Sequence, residues 1–304
     1  MIRRSREVFT GQDCIRIDNG YLTLWASLSV GPRILGLCLG GSENVFASLP
    51  DLTVDCPGRG VYHFYGGHRL WVAPEDPPLT YLPDDSPVQL SEIDDGVCLT
   101  TPVEKTTGIQ KKIVIRLDPE RAYLTIEHSL TNHAETHVEL AAWAITQFRT
   151  GGMALLPLGG PVTDAFGLTP NRQLALWPYT DLSIPQLHMG KHLWRLRAEM
   201  KKGAFKIGYA NYSGWIAYLL GEVLFVKSTP YQRGHSYLDW GSSSECYCNA
   251  DFLELESLSP SVNLAPAETI THLEQWALFD HMSLPEDETS ILEAFGKLGL
   301  VIAG

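Results

Sequence analysis

Between Ile113 and Ala142 the chain alternates apolar and polar residues with period two, the spacing of a β-strand whose two faces meet different surroundings. Ile113, Ile115 and Leu117 share one face. Leu124, Ile126, His128 and Leu130 share the next, and Val138, Leu140 and Ala142 resume the pattern. Asp118-Pro119-Glu120-Arg121 and the segment from Asn132 to Thr136 read as turns between these runs. The stretch therefore predicts an antiparallel meander of long strands.

The rest of the chain repeats the theme. Cys14–Ile17 and Tyr21–Leu24 flank Asp18-Asn19-Gly20, a hairpin signal. Lys206 to Tyr209, Ser213 to Leu220 and Glu222 to Lys227 read as strands, and Glu268 to Phe279 closes the series. Residues 151–185 are rich in Gly and Pro and read as long loops over one sheet face. Only residues 288–298 carry helical spacing, with Ile291, Leu292 and Phe295 on one side. Fifteen or more short strands and one terminal helix predict an all-β protein with large stacked sheets. No composition shift marks a linker, so one domain over residues 1–304 is expected, with its core in about residues 10–280.

Charge and cysteines narrow the function classes. A net charge of −12 without a basic stripe argues against nucleic acid and against an anionic membrane surface. No apolar run approaches the length needed to span a bilayer, and the N-terminus lacks the apolar core of a signal peptide. The six cysteines show no C-x-x-C pair and no zinc spacing. These features predict a soluble cytoplasmic protein with reduced thiols, a monomer or homodimer, without nucleic-acid or membrane partners.

Two segments carry the chemistry. In Asp251–Pro260, DFLELESLSP, strand alternation places Phe252, Glu254, Glu256 and Leu258 on one face. Two carboxylates roughly 7 Å apart among apolar side chains repel each other and lose hydration, and both effects raise a carboxyl pKa. Such a pair suits acid–base work near neutral pH; a solvated strand face is the competing reading. In residues 61–76, VYHFYGGHRLWVAPED, Gly66-Gly67 permit positive φ, and His68, Arg69, Trp71 and Glu75 cluster beside them. Arg with Trp forms a hydrogen-bonding and stacking surface. Trp143 and Gln147 end the alternating run and are available to a ligand. Carboxylates, Arg and indole rings together suit a small-molecule carbohydrate. His63, His68, Glu75 and the two Glu show no regular ligand spacing, so no metal and no cofactor is expected.

The chain resembles the galactose mutarotase-like superfamily, which includes the aldose 1-epimerases, and within it an uncharacterised bacterial branch. The resemblance rests on Tyr65-Gly66-Gly67-His68-Arg69-Leu70-Trp71, on Leu130-Thr131-Asn132-His133 and the strand into Trp143, on Asp251 to Asn263, and on Glu268 to Leu278. It implies a β-supersandwich with a sugar bound across the concave sheet face. It implies a base near the C-terminus, matched by Glu256, with Glu254 one strand repeat away. Tyr65 stands where the family has a His before Gly, and His68 follows three residues later. The family's central acid His has no counterpart, because Trp143–Gln147 fills that strand. The expectation is an isomerase of the aldose 1-epimerase kind: Glu256 as base, Glu254 beside it, His68 or Tyr65 as proton donor, and Arg69, Trp71, Glu75, Trp143 and Gln147 on the ligand. A binding or sensing protein without chemistry, and a lyase or hydrolase step on the same scaffold, are the alternatives.

Overall fold

In a computed structural model that describes residues 2–303, two large antiparallel sheets stack face to face. Among the described residues one sheet has twelve strands and the other ten. The layer between them holds the main core, including Ile17, Leu24, Phe46, Ile113, Ile126, Phe148, Phe225 and Trp276. This is the all-β architecture the alternation predicts.

The meander expectation holds for two of its three strands. Ile109–Leu117 and Tyr123–Asn132 pair directly in the ten-stranded sheet. Val138–Phe148 instead crosses to the twelve-stranded sheet, between Gly60–Ala73 and Leu253–Leu258. Every residue from Leu140 to Phe148 is buried, so the two-faced alternation of an edge-facing strand has given way to the pattern of a central one. Asn132 fixes the crossover. Its amide donates to the carbonyls of Thr136 at 2.9 Å and Leu264 at 3.0 Å, and its oxygen accepts from the Ala134 N–H.

Gly60–Ala73 is bent at Tyr65–Gly67, all three at positive φ. Its first half pairs with Ser48–Cys56 and its second with Val138–Phe148 and Arg33–Leu39. Both glycines are required here. A Cβ would lie 2.0 Å from the Ala47 carbonyl oxygen at Gly66 and 2.1 Å from that of Ile34 at Gly67.

The terminal helix runs Glu288–Gly296, two residues shorter than the spacing predicts. Asp287 caps it by accepting from the Ser290 N–H. Ile291 and Phe295 pack on Leu155, Leu193, Trp215 and Leu224, covering the outer face of the ten-stranded sheet. The opposite outer face, on the twelve-stranded sheet, carries the polar residues described next.

Candidate functional site

Strand register builds the site. Arg69 lies opposite Ile145, Ile145 opposite Glu256, and Glu256 opposite Glu245. One row along, Gly67, Gln147, Glu254, Tyr247 and Lys206 face each other in turn, and Trp71 opposes Trp143 in the row on the other side. Side chains opposite one another share a face, so these rows set Arg, Lys, three Glu, Gln and two Trp on one concave surface. The expected alternation of Leu253–Leu258 is present, with Leu253, Leu255 and Ser257 on the reverse, in the core.

On this surface lies a cavity of about 250 Å³. Arg69, Lys206, Glu75 and Glu254 supply its charged groups, while Trp71, Trp143, Tyr179, Tyr247 and Phe252 contribute ring faces. A cleft of about 600 Å³ opens beside Arg6–Val8, but none of the buried polar groups of these rows line it, so size does not select the site.

Glu254 is the carboxylate at the cavity. Its Oε1 accepts from Arg69 Nη2 and Gln147 Nε2, both at 3.0 Å. Burial raises its pKa, the Arg69 charge lowers it, and the Glu256 charge raises it again, leaving it at about 7. Arg69 stacks 4.2 Å from the Trp71 ring centre, and its buried Nε and Nη1 have no protein acceptor. Both donors are buried away from solvent, so the second oxygen of Glu254 is the hydrogen-bonding group this carboxylate presents to the cavity.

Glu256, expected as the base, does not line this cavity. It is fully buried below the cavity, and its Oε2 accepts from the Trp143 indole at 2.7 Å and Lys206 Nζ at 3.1 Å. Lys206 also contacts Glu245 Oε2 at 2.7 Å. Burial alone would lower the Lys206 pKa, but Glu256 and Glu245 hold it well above the usual lysine value. Burial pushes Glu245 well up. Lys206 is thus held between two buried carboxyl groups, Glu256 and Glu245, on neighbouring strands. Lys206, which in sequence reads only as part of a strand, packs 4.7 Å from the Trp143 ring centre and 4.6 Å from that of Trp177. A lysine inside the otherwise apolar strand FKIGY was the available signal.

His68 and Tyr65 do not join the cavity. Tyr65 opens the bend, stacks on His63 and lies near Arg33. His68 is one residue from Arg69 and so points the opposite way, into the layer between the sheets, where it is completely buried. There its Nδ1 lies 2.9 Å from Thr146 Oγ1 and its Nε2 2.8 Å from His128 Nε2, while His128 Nδ1 faces the His272 carbonyl at 3.0 Å. A carbonyl only accepts, so His128 Nδ1 donates and its Nε2 accepts from His68; Thr146 then donates to His68. His272 Nε2 meets Ser257 Oγ, and that hydroxyl donates to Glu274. Burial lowers all three imidazole pKa values, so the rings are neutral at pH 7. Lys227 completes the layer through Glu274 at 2.9 Å and the carbonyls of Ala144 and Leu255 at 3.1 Å. The His68, His128 and Glu274 ligand atoms lie within 4.8 Å of one another. The hydrogen bonds just traced occupy both nitrogens of His68 and of His128, so the cluster reads as a polar tie between the sheets.

No known family model matches the sequence, and no curated protein matches it. Solved structures do match in shape. A "putative aldose 1-epimerase" from Klebsiella pneumoniae subsp. pneumoniae MGH 78578 superposes with a TM-score of 0.63 at 13% identity, over 99% of this chain and 89% of that one. A galactose mutarotase-like protein from Lactobacillus casei ATCC 334 gives 0.57 at 11% identity, over 88% of this chain and 100% of that one. A TPR-domain containing protein from Parabacteroides distasonis ATCC 8503 gives 0.58 at 15% identity; the match covers 91% of this chain and 50% of that longer one. At these identities the likeness is one of fold: the chain has the galactose mutarotase-like sandwich. No helix among the described residues is long and apolar enough to cross a membrane.

Proposed function

We propose, from the galactose mutarotase-like fold and the chemistry of its concave face, that the protein binds a carbohydrate in the Glu254 cavity and interconverts its anomers. One observation carries the reading: Glu254, whose pKa burial and the Glu256 charge raise to about 7, lines an aromatic-walled cavity beside Arg69. Ring faces of Trp71 and Trp143 suit the CH face of a pyranose. Arg69 suits hydroxyl or ring oxygens, and Glu254 accepts hydroxyl hydrogens.

In this reading Glu254, rather than Glu256, is the base. It takes the proton of the anomeric hydroxyl as the bond from the anomeric carbon to the ring oxygen breaks. The electron pair goes to the ring oxygen, which takes a proton from water, and the open-chain aldehyde rotates before the steps reverse. Arg69 meets the negative charge developing on that oxygen. Glu256, held by Lys206 and Trp143, lies close enough for its charge to help raise the Glu254 pKa. The whole chain serves as one domain around this face.

A second reading is binding without turnover, because none of the cavity-lining residues is a histidine that would protonate the ring oxygen. Polarimetry on freshly dissolved α-glucose and α-galactose, beside calorimetry with the same sugars, separates the two. Turnover in the wild type that is lost in Glu254→Gln supports the base. Heat of binding without accelerated mutarotation supports the binder. Neither signal with either sugar removes these two hexoses as ligands.

A further inference from the structure

We propose that the groove between Trp177 and Trp240 is a second carbohydrate subsite, which takes the sugar unit adjacent to the one held at Glu254; this rests on the reading above. Trp240 is 76% exposed, an unusual position for the largest apolar side chain. It sits in a turn where Asp239, Trp240 and Gly241 have φ of 48°, 56° and 87°. Non-glycine residues occupy this left-handed region at an energetic cost, and they do so where the surroundings enforce it. Here Gln173 donates to the Trp240 carbonyl at 2.6 Å, Ser242 Oγ donates to that of Asp239 at 2.7 Å, and the Ser242 N–H donates to that of Leu238. The turn thus holds an indole out in solvent by fixed contacts.

The indole borders a groove of about 200 Å³ with Leu176, Trp177, Pro178 and Asp239. That is below the size of a pocket for a whole ligand and suits one unit of a larger one. Apolar ring faces with a carboxylate at the rim fit a sugar ring, which presents a CH face and hydroxyls. The groove neighbours the main cavity: the ring of Trp177 in its wall lies 4.6 Å from Lys206, which lines that cavity. Leu176 pairs with Ile207, which places Trp177 beside Lys206 at the sheet edge. A ligand of two or more sugar units would lie along this edge, one ring at Glu254 and the next at Trp240.

The test is calorimetric titration of the wild type, Trp240→Ala, Trp240→Phe and Glu254→Gln with glucose, galactose, maltose, cellobiose and lactose. The expected result is that at least one disaccharide binds the wild type more tightly than its monosaccharides. Trp240→Ala then removes about tenfold of that affinity, in the range of one lost aromatic stack. It leaves monosaccharide binding within about twofold, and Trp240→Phe keeps most of the gain. Glu254→Gln weakens mono- and disaccharides alike, which distinguishes failure of the first site from failure of the second. Equal disaccharide affinity in Trp240→Ala and wild type overturns the subsite, as does a wild type that prefers no disaccharide. A change of sedimentation coefficient in Trp240→Ala, marking a face for self-association, overturns it too. A wild type that binds none of these sugars overturns it together with the primary site.

Discussion

Replacing Lys206 by Met isolates the electrostatics beneath the cavity. Met keeps most of the stem that packs against Trp143 and Trp177 and removes only the ammonium. The ammonium is nearly buried and lies 3.1 Å from Glu256 and 2.7 Å from Glu245, both with completely buried side chains. Without it Glu256 retains only the Trp143 indole as a partner. Removing one member of a buried pair costs about 3–5 kcal/mol. Urea denaturation at pH 7 measures this. A loss of about 3–5 kcal/mol is expected. A loss below about 1 kcal/mol would refute the claim that Lys206 holds the two buried carboxyl groups in place.

Other outcomes follow from the same geometry. If Glu254 is the base, the mutarotation rate rises with pH through about 7, because only its carboxylate accepts the anomeric proton; a rate flat from pH 5 to 9 contradicts it. His68→Phe strands the partners on Thr146 and His128 and should destabilise the fold by about 1–3 kcal/mol in chemical denaturation. Sugar affinity of the folded fraction should stay within about twofold, about 0.4 kcal/mol, and a selective loss of turnover at unchanged stability would put His68 back in the chemistry.

The sequence carried the sheets and one wall of the cavity, for identifiable reasons. Strict alternation in Leu253–Leu258 predicts that Glu254 and Glu256 share a face, and they do. Arg69, Trp71 and Glu75 are close in sequence and all line the cavity. The same alternation, applied to Gly60–Ala73, puts His68 and Arg69 on opposite faces, although they are adjacent in sequence. The rank of the two carboxylates was not legible, because it depends on Lys206 and Glu245, which reach Glu256 from two other strands. The crossing of Val138–Phe148 between sheets was equally hidden. Its turn resembles that of a meander, and the change shows only in the unbroken burial that follows.

The most direct test of the account is a carbon-13 NMR titration of the glutamate side-chain carboxyls, with and without galactose, using Glu254→Gln to assign the signal. One carboxyl absent from the variant should titrate near pH 7 and shift to a lower midpoint with sugar, whose hydroxyls favour the charged form. If that carboxyl titrates below pH 5, or does not respond to the sugar, Glu254 is not the group the account describes.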